Sequence, residues 1–103
     1  MFKLSVFVDI PNGEKVKEAI FAAGGGAIGN YRHCSFETIG VGQFMPLSGA
    51  SPFLGETGKL TRVAEMKIEV VLEDDKIEDV IRAMKKAHPY ETPAYDVVKL
   101  ANY

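Results

Sequence analysis

A chain of 103 residues with 47% hydrophobic and 25% charged side chains has the balance of one globular domain and leaves no room for two. A formal net charge of −2 and the lack of any basic run exclude nucleic acid and polybasic membrane binding as main roles. Cys34 is the only cysteine, which excludes an intrachain disulfide and suits a reducing compartment, so a cytoplasmic location is expected.

The elements follow from periodicity. FKLSVFVD, residues 2 to 9, is β-branched and aromatic and predicts a strand rather than a signal peptide, because Asp9 interrupts the apolar run and no cleavage pattern follows. Val16, Ile20 and Ala23, with Ala19 beside them, share a helical stripe, and that helix is expected to stop at Gly24. Tyr31, Cys34, Phe36, Ile39, Val41 and Phe44 suggest one long strand over 31 to 45, bent or bulged at Gly40 and Gly42. Residues 46 to 60, rich in Pro and Gly, form a connection long enough to suggest a functional loop. Val63, Met66, Ile68, Val70 and Leu72 alternate with charged residues, slipping once near Ala64, and read as a half-exposed strand over 61 to 73. Asp74 and Asp75 are N-cap candidates for a helix whose stripe is Ile77, Val80, Ile81, Met84 and Ala87 and which must end before Pro89. AYDVVKL, residues 94 to 100, completes the set as a strand.

The order βαββαβ, with right-handed crossovers, predicts a ferredoxin-like α+β sandwich: one antiparallel sheet with two helices on one face. The run AGGGAIG, residues 23 to 29, invites comparison with a phosphate loop. A phosphate loop leads from a strand into a helix N-terminus, whose partial positive charge faces the anion. Here the glycines follow a helix and meet its negative end, so they are expected to stop the helix and reverse the chain. The acidic run from Glu73 lacks the central glycine of a calcium loop and reads as a solvated first helical turn.

Chemistry-bearing residues concentrate in AHPYETPAYD, residues 87 to 96. The topology places His88, Tyr90 and Glu91 near the end of the first strand and near the 46 to 60 loop, where Glu56 is expected to join them as a ligand-binding rim. Imidazole and carboxylate together suit a divalent metal or proton transfer. His33 starts at the opposite end of the sheet, so within one subunit it cannot share that site; at a subunit boundary it remains a metal-ligand candidate beside His88 and Glu91. Cys34 alternates to the other face from His33 and is read as structural.

Four blocks carry a resemblance. AGGGAIGNYRHCSF, GVGQFMPLSGASPFLGE, the strand Glu65-x-Lys67-Ile68-Glu69 and AHPYETPAYDV, over about residues 11 to 100, stand in the same order in YqfO-like proteins. The chain thus resembles the inserted module of the NGG-interacting-factor-three-like (Nif-three-like) family. The resemblance implies a PII-like or CutA-like fold over 1 to 103 as a single domain, and self-association as a trimer through sheet edges. Longer family members look like two α/β lobes around a two-metal centre, and those lobes' ligands have no matching positions here. The resulting expectation is a small non-enzymatic PII-like regulatory homo-oligomer that binds a small molecule or a protein partner. The alternatives are a CutA-like protein binding a divalent metal ion and, ranked last, a small hydrolase.

Overall fold

The computed structural model describes residues 1–103. Its elements are β1 (Phe2–Asp9), α1 (Gly13–Ala22), β2 (Phe36–Phe44), β3 (Thr61–Leu72), α2 (Ile77–Ala87) and β4 (Tyr95–Lys99), with a short 3-10 turn leading into each helix. The strands form one sheet in the order β2-β3-β1-β4, every neighbouring pair antiparallel. This is the ferredoxin-like arrangement.

Side-chain alternation sorts the sheet into two faces. Leu4, Val6 and Val8 of β1 and Met66, Ile68, Val70 and Leu72 of β3 point toward the helices and are buried. Val16 and Ile20 of α1 and Val80 and Met84 of α2 complete the core of 11 buried apolar side chains. The helical stripes expected from spacing are therefore the ones that pack. Val63 is the exception among the β3 residues: it shares the far face with Glu65, Lys67 and Glu69. The strand runs through Ala64 without a break in register, so the apparent slip was a change of face and not of backbone.

Three local expectations need correction. The strand over 31 to 45 begins only at Phe36, because residues 31 to 35 return from the glycine turn as a loop, with Tyr31 bridged to Ile28 and the Cys34 N–H donated to the Gly26 carbonyl at 2.9 Å. No bulge occurs at Gly40 or Gly42, whose ladder with β3 is uninterrupted from Phe36–Glu69 to Phe44–Thr61. Asp74 and Asp75 make no side-chain cap; they sit in the 3-10 turn before α2, and Asp74 pairs with Lys99 Nζ at 2.5 Å.

The glycine run does end α1. The Gly24 N–H bonds the Phe21 carbonyl and the Gly25 N–H bonds the Ile20 carbonyl, both at 3.0 Å, the two bonds of a Schellman cap. Gly24 supplies the positive φ of 108° that this closure requires. Gly26 then ties the turn to the sheet by donating to the Val71 carbonyl at 2.8 Å.

Candidate functional site

The C-terminal end of α2 delivers His88 to the end of β1. Its Nε2 lies 2.8 Å from the Phe7 carbonyl, and its Nδ1 accepts the Tyr90 N–H at 3.1 Å. Only the neutral tautomer protonated on Nε2 satisfies both bonds. The side chain is 6% exposed. Burial pushes the imidazole below its ordinary value, against the opposing pull of the Phe7 carbonyl and of the Asp9 and Glu65 carboxylates. His88 is thus a neutral bracket joining helix, strand and turn, with no lone pair left for a metal.

That bracket positions Tyr90, whose hydroxyl donates to Glu65 Oε2 at 2.8 Å. Burial first, then the Glu65 carboxylate, hold the phenol well above its usual value. Glu65 lies over β2 at Gly42, where an added Cβ would fall on its carboxylate. Directly across the β1–β3 ladder from Glu65 stands Asp9, 5% exposed. Asp9 Oδ2 accepts from the Asn12 amide at 2.8 Å, while the buried Oδ1 has no partner. Opposed like charges destabilise a ladder, and the donors that meet these two carboxylates, the Asn12 amide and the Tyr90 hydroxyl, are neutral.

Next to this network the 46 to 60 loop and the turn after α2 meet. Glu91 accepts the Ser51 N–H on both carboxylate oxygens, at 3.1 and 3.3 Å, and the Phe53 and Tyr90 rings lie 6.2 Å apart. The loop is closed at its base by the Gly58 N–H on the Pro46 carbonyl at 2.7 Å. Between loop and turn is a cavity of about 360 Å³. Phe44, Leu47, Phe53 and Leu54 supply apolar wall, and Glu65, Tyr90 and Glu91 supply polar groups.

The structure brings His88, Tyr90 and Glu91 to one end of the sheet and separates the remaining candidates from them. Glu56 is exposed, pairs with Lys59 at 2.7 Å and does not line the cavity. His33 lies on the exposed loop after the glycine turn, at a φ of 58°, and stacks on Phe21 with ring centroids 5.0 Å apart. No group of three or more His, Cys, Asp or Glu side chains is arranged to hold a metal ion. Sequence reasoning missed Glu65, and brought Asp9 to this corner as the end of the first strand without giving it a role. Glu65 reads as one more solvated charge of an alternating strand; the usable signal was the small-residue pair Gly40 and Gly42 on the neighbouring strand, which leaves room above it.

The fold is a CutA-like or PII-like α+β arrangement. The CutA periplasmic divalent cation tolerance protein of Archaeoglobus fulgidus superimposes with a TM-score of 0.70 over 100% of this chain and 87% of its own, at 15% identity. A PII-like CutA from a Nostoc species gives 0.64 at 18% identity, over 97% of this chain and 81% of its own. Both show shared fold alone. No family model matches the chain. Relatives at the sequence level are more specific. A GTP cyclohydrolase 1 type 2 homologue of Halalkalibacterium halodurans is 46% identical over 99% of this chain and 27% of its own length; that of Bacillus subtilis is 47% identical over 92% and 26%. A Bacillus cereus protein related to NIF3 superimposes with a TM-score of 0.84 at 44% identity, over 98% of this chain and 26% of its own. The chain is therefore a relative of one module of the NIF3-related proteins, and it spans about a quarter of the length of the curated relatives it matches.

Proposed function

We propose that this chain is a non-enzymatic, regulatory binding module of the CutA and PII kind. It acts as a homo-oligomer and takes a small ligand or a segment of a partner between the 46 to 60 loop and the turn after α2. The observation that carries this reading is the cavity closed by the Glu91–Ser51 contact. It is mostly apolar with a few convergent polar groups, the usual make-up of a small-molecule site. Its upper wall is a loop held to the turn by Glu91 alone among side-chain hydrogen bonds, so occupancy can be passed to the outside as a change in loop position. Binding is favoured over catalysis because His88, the obvious general base, spends both ring nitrogens on backbone partners. The same observation counts against the divalent-metal reading, in which His88 and Glu91 would be ligands. The GTP cyclohydrolase name belongs to the longer relatives.

The test is a fragment screen followed by amide NMR on the full chain. Hits should move amides in residues 44 to 54 and 90 to 94. Hits that gather only at the opposite end of the sheet, around His33, would remove the reading. Metal analysis of untagged protein, with His88→Ala as control, checks the metal alternative: that reading requires a melting shift with metal that the variant loses.

A further inference from the structure

The cavity's charged groups, Glu65 and Glu91, have one sign. No Lys, Arg or His side chain lines it, and its ionisable groups are Glu65, Tyr90 and Glu91. Asp9, opposite Glu65 on the ladder, does not line the cavity but has an unpartnered buried oxygen. Every salt bridge of the molecule lies elsewhere: none involves Asp9, Glu65 or Glu91. Glu91 is met by a neutral backbone N–H, and Glu65 by the Tyr90 hydroxyl on Oε2, which leaves Glu65 Oε1 with no donor. A negative, partly desolvated pocket walled by the Phe44, Phe53 and Tyr90 rings selects its occupant by charge and by ring quadrupole.

We infer that the cavity takes an organic cation, an ammonium group carried on a small apolar body, with Glu65 meeting the ammonium and the aromatic rings holding the body. The inference rests on the cavity being the binding site, as proposed above, and adds the chemical class of the ligand. A phosphate or carboxylate ligand meets like charge there. A bare divalent cation lacks a third ligand, since no three metal-binding side chains converge. At about 360 Å³ the space lies near the lower end of small-molecule sites, roughly 300–1,000 Å³, which suits a compact amine.

Three probes that share a phenyl body separate the outcomes: phenethylammonium, 2-phenylethanol and 3-phenylpropionate, each titrated into the full chain and followed by amide NMR. The ammonium should shift residues 44 to 54 and 90 to 94 and bind roughly tenfold or more tighter than the alcohol, with the carboxylate weaker still. Glu65→Gln, which keeps an acceptor for Tyr90, should erase the ammonium's advantage and leave the alcohol's affinity unchanged, which also reports that the fold is intact. Equal binding of ammonium and alcohol to the natural chain overturns the charge inference and leaves the cavity reading standing. No shift at the cavity with any of the three overturns both.

Discussion

His88 illustrates how one side chain can be read as a site and turn out to be a bracket. A surface imidazole offers lone pairs to metals and substrates; here burial and two backbone partners consume them. The consequence is a pH dependence with a definite sign. The folded-state value lies below the ordinary 6.5, so between the two values the unfolded chain carries a proton that the folded chain excludes. Stability therefore rises with pH through that window, is fully present above about pH 7, and is lost as pH falls below 6.5. Protonating Nδ1 also forfeits the Tyr90 N–H bond, so the cost falls on the turn that forms the cavity wall. Each unit by which the folded value is depressed corresponds to about 1.4 kcal/mol. Urea denaturation at roughly pH 7.5 and pH 5.5 should show this loss, and His88→Gln, which has no proton to gain, should flatten the difference. An identical slope in the variant assigns the pH dependence to other groups.

Among the elements, those with strong period were legible in the sequence. β1, α1, β3 and α2 each carry an apolar stripe that only one packing buries, and the order of elements fixed which loops meet at the His88 end. The start of β2 was not legible. Tyr31 and Cys34 have strand-forming side chains, but residues 31 to 35 are held by the glycine turn, whose hydrogen bonds outweigh local propensity. The caps expected from Asp74 and Asp75 do not form: the Asp74 carboxylate finds Lys99 on β4, a tertiary partner that no local pattern reveals. The placement of His88, Tyr90 and Glu91 at one corner was legible because they adjoin two prolines at a topologically fixed end of the sheet. The pairing of Glu65 with Asp9 was not, since the register that opposes them is a property of the sheet. The glycine turn yields its own prediction. Gly26 combines a φ of 79° with a position where a Cβ would sit 2.8 Å from the Cys34 carbonyl oxygen, whereas Gly29, at 56°, faces open space. Gly26→Ala should therefore cost roughly 2–4 kcal/mol, from strain and clash together, and Gly29→Ala only about 1 kcal/mol, from the left-handed conformation alone. Denaturant midpoints for the two variants check the ranking; equal losses would mean that the turn can yield at Cys34.

The molecule as a whole is 46 Å long and 24 Å across because the β2–β3 hairpin runs past the helices. This shape leaves apolar surface with nothing to cover it. On the helix side of the hairpin Ile39 is 58% and Val41 64% exposed, beyond the reach of α1 and α2. On the far face of the sheet Phe36 is 68% and Val98 50% exposed, among Lys3, Lys67 and Glu69. β2 also forms one edge of the sheet, nine residues long, with free backbone donors and acceptors, a surface that soluble proteins normally pair or block. A second copy can answer all three deficits at once: it pairs the edge, and its sheet covers what the helices do not. Closed cyclic symmetry lets each copy do this for the next without growing a fibre. The core of a single chain is small, 11 apolar side chains, so burial against a second copy would contribute a large share of the stability. Light scattering on the eluted protein should read a multiple of the 11.3 kDa chain mass, threefold for the trimer that the family resemblance implies. Ile39→Glu together with Phe36→Glu, both on β2 and outside the core, should reduce that mass and lower the melting temperature in the same samples. A mass of one chain at micromolar concentration, with a melting temperature indifferent to the two substitutions, would show that the hairpin is stable bare, and the oligomer would have to be given up while the cavity reading stood unaffected.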